Sequence, residues 1–177
     1  MAEQTEAEKK KPKKVMVVID ESESSYNALV WVLDNLKETI CFSSTETSLI
    51  LFSSQPLVVP GFISSSPFGP ARLYFHGPSA AGPEIHNPAQ ELNRKVSLGL
   101  LKKAKEICAC QGVNAETMTE TGDPKATICS AVQKYKIDLL IIGCEDYGPL
   151  KRFLVGSMSD YCLKNANCSV LVVKKSK

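Results

Sequence analysis

Histidine is almost missing from this chain. Its 177 residues hold two, His76 and His86, both in a proline-broken stretch. A hydrolytic triad, which needs an imidazole held firmly against its nucleophile, is poorly supported. Long apolar runs are missing too. Val15–Ile19, Leu139–Ile142 and Val170–Val173 are short segments, whereas a membrane-crossing helix needs about 20 apolar residues; no membrane span is expected. Net charge is only +2, which supplies no field to gather nucleic acid or an anionic surface. The lysines Lys9–Lys11, Lys13 and Lys14 lead into no apolar region of the secretory type. With Glu3, Glu6 and Glu8 among them, residues 1–12 read as a disordered, solvated tail.

Metal-ligand spacing is equally absent. The seven cysteines are scattered, and only Cys108 and Cys110 are close neighbours. No second Cys/His pair faces them at zinc spacing, so no metal site is expected. An odd number of cysteines without a secretory signal points to reduced thiols in a reducing compartment, hence to the cytoplasm or nucleus. No two glycines lie two apart, so the G-x-G-x-x-G dinucleotide fingerprint is excluded. Gly143 and Gly148 have the spacing that opens a Walker A loop, but Pro149 and Leu150 follow where Lys and Ser/Thr would be required.

What the chain does have is alternation. Val15–Ile19 is a β-branched run suited to a strand buried on both faces. Ala28, Leu29, Val32, Leu33 and Leu36 then follow helical spacing, with Ser22 standing where an N-cap would. Thr47–Ser53 reads as a second strand. Between Gln55 and Gln90 sit seven of the ten prolines and four of the ten glycines. This segment is expected to be a surface insertion that sustains neither helix nor ladder. Val96, Leu100, Ala104 and Ile107 form a second helical stripe, and Val113–Thr119 a weaker strand. Asp123-Pro124 reads as N-cap and first helical position, opening a helix through Ile128, Val132 and Tyr135. Leu139–Ile142, Ser157–Asn165 and Val170–Val173 give strand, helix and strand. Alternation at this spacing requires right-handed crossovers, so the fold class is α/β: a parallel sheet with helices on both faces. One domain over residues 13–175 is the expectation.

In such a sheet, ligands bind beyond the carboxyl ends of strands at the topological switch point. Two segments can stand there. Asp20 follows the first strand, either as a turn residue or as an acceptor for ribose hydroxyls. The segment Gly143 to Ser159 follows the fourth. Its Gly156-Ser157 precedes a helix, whose N-terminal amides and partial positive charge suit a phosphate. Ser157 and Ser159 add hydroxyls, Gly143 permits close backbone approach, and Lys151 and Arg152 supply mobile positive charge.

These residues together resemble the universal stress protein family, the plant-type single-domain members in particular. The resemblance is carried by KVMVVIDESESS at the start, Thr121-Gly122-Asp123-Pro124, and GCEDYGPLKRFLVGSMSDYCLKNANCSVLVVK at the end. It implies a Rossmann-like, five-stranded parallel sheet of order 3-2-1-4-5, usually dimeric, with ATP or AMP as ligand and Mg only as the nucleotide's companion. The family motif G-x2-G-x9-G-(S/T) matches Gly143 at its first position and Gly156-Ser157 at its last two. By the same resemblance, Val18, Ile19 and Asp20 lie along adenine and ribose, while Ser157, Met158 and Ser159 meet phosphate. The last strand, Val170 to Val173, would form the sheet margin and the seam of a homodimer.

One position departs from the pattern. Asp146 stands at the motif's middle glycine, with Glu145 beside it. A carboxylate ~4 Å from a phosphate charge costs about 1–4 kcal/mol, depending on screening, and each 1.4 kcal/mol is about a factor of ten in affinity. Two readings stay open: an adenine nucleotide-binding stress-response protein acting by signalling or chaperone-like contacts, or a dimeric interaction protein that has lost its ligand. Efficient turnover is not expected, because no residue stands ready to activate water.

Overall fold

The computed structural model describes residues 13–42, 47–57, 88–144 and 157–174. Five parallel strands form one sheet: β1 (Lys14–Val18), β2 (Ser48–Gln55), β3 (Ala115–Thr121), β4 (Leu139–Cys144) and β5 (Ser169–Lys174), in the order β3-β2-β1-β4-β5. That is the order the resemblance implies. Between the strands run α1 (Glu23–Asn35), α2 (Lys37–Phe42), α3 (Pro88–Cys110), α4 (Pro124–Tyr135) and α5 (Ser157–Asn165).

The inner strands β1, β2 and β4 are buried on both faces because both faces are covered. Val15, Val17 and Ile19 pack with Leu29 and Val32 of α1 and Leu101 and Ala104 of α3. Met16 and Val18, pointing the other way by strand alternation, pack with Ile128 and Val132 of α4 and Cys162 of α5. At the start of the central pair, Lys14 and Asp138 clasp each other twice. The Lys14 amide donates to Asp138 Oδ2 at 2.8 Å, and the Asp138 amide donates to the Lys14 carbonyl at 2.9 Å. This pins the register Val15↔Leu139, Met16↔Leu140 and Val17↔Ile141.

Helix boundaries follow local chemistry. Ser22 caps α1, its hydroxyl accepting from the Ser25 amide at 3.1 Å. Asp123 caps α4, accepting from the Ala126 amide at 3.1 Å, with Pro124 at the first position where its missing N–H leaves nothing unpaired. Lys136 ends α4 in the left-handed region at φ 54°, a conformation that glycine adopts more readily.

Three features differ from expectation. The segment from Gln55 to Gln90 carries regular structure at both ends. Gln55 still pairs with Thr121 in the ladder between β2 and β3, and α3 opens at Pro88, a helix start being where proline is tolerated. Residues 58–87 of that segment lie outside the described residues. Second, β2 continues through Ser53, Ser54 and Gln55, all buried. The Gln55 side chain is held there by donating to Thr119 Oγ1 at 2.9 Å and accepting from Thr121 Oγ1 at 3.3 Å. Third, α2 follows α1 after a break at Leu36, and its Ile40 joins the core.

Candidate functional site: a cleft between the central strands

The chain leaves β1 toward β2 and leaves β4 toward β5, in opposite directions across the sheet. A crevice opens at the carboxyl ends of two strands whose connections part this way. Here it is a cleft of about 100 Å³. Val18, Ile128, Ile142 and Met158 give it apolar walls, Asp20, Ser22, Ser25 and Ser54 supply polar groups, and Ile19, Pro124 and Gly143 complete the lining.

Asp20 shapes the loop between β1 and α1. Its Oδ1 accepts from the Ser22 amide at 2.9 Å and from the Ser22 hydroxyl at 2.5 Å, a turn in which a short carboxylate substitutes for backbone. Ser25 ties the loop to the helix: its hydroxyl accepts from the Asp20 amide at 3.2 Å and reaches the Asp20 carbonyl at 3.0 Å. Among the described residues no bond is made to Asp20 Oδ2. The turn role falls on Oδ1.

Gly143 is close to backbone, and that backbone belongs to the protein. A Cβ at this position would collide with the Ser24 carbonyl and lie 2.8 Å from the Ser25 nitrogen. Absence of a side chain lets the first turn of α1 seat directly on the end of β4.

Of the residues singled out in the sequence, Val18, Ile19, Asp20, Gly143 and Met158 share the cleft. Ser157 opens α5 and is exposed, while Ser159 is buried; neither lines the cleft. Gly156, Asp146 and Glu145 lie outside the described residues. Sequence reasoning missed Ser25, Ser54, Pro124, Ile128 and Ile142 as lining residues. A signal existed for two of them: Ile142 lies near the carboxyl end of β4 as Val18 closes β1, and Pro124 follows a helix cap that a parallel sheet must place at the same edge.

The Universal stress protein family model matches residues 74–174. A universal stress protein A-like protein of Arabidopsis thaliana is 27% identical over 174 residues, spanning 93% of this chain and 91% of that protein. A universal stress protein of Bacillus subtilis is 27% identical over 161 residues, spanning 91% of this chain and 98% of its own. Among solved structures, a universal stress protein family member from Arabidopsis thaliana with AMP bound matches at a TM-score of 0.60. Its sequence identity is 25%, over 93% of each chain.

Proposed function

The chain belongs to the universal stress protein family, and on that footing we propose that it binds an adenine nucleotide in the cleft between β1 and β4. The observation that carries this is the convergence of Val18, Ile19, Asp20, Gly143 and Met158 on one crevice at the switch point. The apolar walls suit a base, and Asp20 Oδ2 suits a ribose hydroxyl. The amides of Ser157, Met158 and Ser159 open α5, and with Gly156 they suit a phosphate. At about 100 Å³ the cleft is smaller than the roughly 300–1,000 Å³ of clefts and cavities that take up most of a ligand. Base and sugar occupy it, and the phosphates extend over α5.

AMP is the better ligand and ATP the weaker, because Asp146 and Glu145 add negative charge to the sequence between β4 and α5. The output is a stress response through protein contacts, in the cytoplasm, without turnover. Among the described residues lining the cleft, Asp20 is the ionisable one, and it is engaged with Ser22. Thermal denaturation with AMP, ATP and GMP tests this. AMP is expected to raise the melting temperature most, and Asp146→Gly to enlarge the ATP effect. No shift with any adenine nucleotide, in either protein, removes the proposal.

A second copy of the chain is the proposed protein partner. β5 stands at the sheet margin with Val170, Leu171 and Val172 half-buried. An apolar margin with unpaired backbone groups favours pairing along Val170–Val173. Light scattering should give a dimer mass at micromolar concentration; a monomer mass there would remove this part of the reading.

A further inference from the structure

Lys125 carries its charge at the unfavourable end of a helix. It is the second residue of α4, whose first turn holds no acidic side chain. The amino end of a helix has partial positive charge, which favours anions and opposes a cation. The Lys125 ammonium lies 5.9 Å from the centre of the Tyr161 ring on α5, within the range where a cation is drawn to an aromatic face. Among the described residues it forms no ion pair. The acids at the two helix starts have their own partners. Asp123 Oδ2 accepts from the Ala126 amide at 3.1 Å, and Asp160 Oδ2 accepts from the Lys164 ammonium at 2.8 Å.

The neighbours of this pair put it at the rim of the cleft. Pro124, directly before Lys125, and Met158, three residues before Tyr161, both line the cleft. Lys125 and Tyr161 are each half-buried, and Tyr161 packs with Met158 against the cluster that holds Ile128. Helical side chains lean toward the amino end of their helix, so the ring one turn beyond Ser157 is carried back over the turn that Ser157 opens. The ring thus keeps the ammonium close to the first amides of α5. Two positive helix ends and a lysine meet in one place, an arrangement that an arriving anion relieves.

We propose that Lys125, steadied on Tyr161, reads the phosphate and makes the cleft select a phosphorylated nucleoside over the nucleoside alone. The inference rests on the nucleotide reading above and adds to it the side chain that tells AMP from adenosine. Amides of α5 are uncharged donors. Lys125 brings a full charge, and a charge-assisted bond is about twice as strong as a neutral one. Lysine is a point charge on a flexible stem, so it follows the phosphate while the ring fixes where it starts.

The test titrates the full chain with AMP and with adenosine, followed by NMR so that weak binding is read. Wild type is expected to prefer AMP, and Lys125→Gln to lower the ratio of AMP to adenosine affinity about tenfold. Lys125→Arg keeps the charge and can stack on the ring, so it should restore most of the ratio, whereas Lys125→Glu should lower it further. Tyr161→Leu should lower it less than Lys125→Gln, because it releases the ammonium without removing it. Added salt should narrow the wild-type preference more than that of Lys125→Gln. A purely structural role would move both ligands together and leave the ratio alone. If AMP binds and the ratio survives Lys125→Gln, or falls equally in Lys125→Arg, the inference is overturned and the nucleotide reading stands. Equal wild-type affinity for AMP and adenosine overturns it as well. If wild type binds neither, both fall.

Discussion

The main chain of Ser24 occupies the space that a side-chain carbon on Gly143 would need. Backbone cannot rotate aside as a side chain can. Gly143→Ala must therefore push back the first turn of α1, taking Ser22 and Ser25 with it, or distort the end of β4. Overpacking of this kind costs about 1–3 kcal/mol. The expected outcome is a lower urea midpoint with unchanged slope, together with loss of the AMP-induced thermal shift. Wild-type stability in this variant would mean that helix and strand are not in rigid contact.

Asp20 Oδ1 holds the turn, and two substitutions separate that role from the one proposed toward a ribose. Asn retains an oxygen for the Ser22 amide but places an NH2 where Oδ2 stood, which cannot accept from a ribose hydroxyl. Ala removes both. Asp20→Ala is expected to cost about 1–3 kcal/mol through the orphaned Ser22 donors, and Asp20→Asn less than about 1 kcal/mol. Both should weaken AMP binding by about tenfold or more in calorimetry. Full AMP affinity in Asp20→Asn would leave Asp20 as a turn residue alone.

The sheet is legible in the sequence because its buried strands are unbroken apolar runs and its helices keep their period. The ends of elements are not. Ser53, Ser54 and Gln55 have loop composition and become strand because they pair in the ladder with β3, while two threonine hydroxyls hold the Gln55 side chain. Pro88 resembles a breaker and serves as a helix start. α2 is too short for any period to show; among its described side chains Ile40 is the one in the core. In the cleft, Asp20 and Gly143 are legible from standing just after or at the end of a strand. Ser54 and Ile128 are not, since only folding brings elements so distant in the chain to one rim.

Glu120 is expected to contribute to acid stability. The Lys134 ammonium at 2.7 Å and the Tyr135 hydroxyl at 2.8 Å both donate to its Oε1, joining β3 to α4. Partial burial pushes the Glu120 carboxyl upward, but the bonds from Lys134 and Tyr135 outweigh it and hold the group below its ordinary value. The stabilisation is therefore complete above about pH 4.3 and is lost as pH falls through the lower folded value. Lys134 is raised by its bond to Glu120, so its own contribution holds below the ordinary lysine value and fades as pH climbs through the raised one. Glu120→Gln should flatten the acid limb of melting temperature against pH. Tyr135→Phe should remove about 0.5–1.5 kcal/mol at neutral pH. An acid limb unchanged in Glu120→Gln would show that this carboxylate is not linked to folding.

The double clasp of Lys14 and Asp138 sits at the rim of the sheet farthest from the cleft, yet it governs alignment there. Strand side chains alternate, so sliding β4 by one residue along β1 would turn every one of its side chains to the opposite face. It would also carry the strand end about 3.3 Å out of line. Gly143 would no longer meet the shoulder of α1, and Ile142 would leave the wall it shares with Val18. Two short bonds at the bottom thus act as a gauge block, setting the gap whose mouth lies four to five residues above.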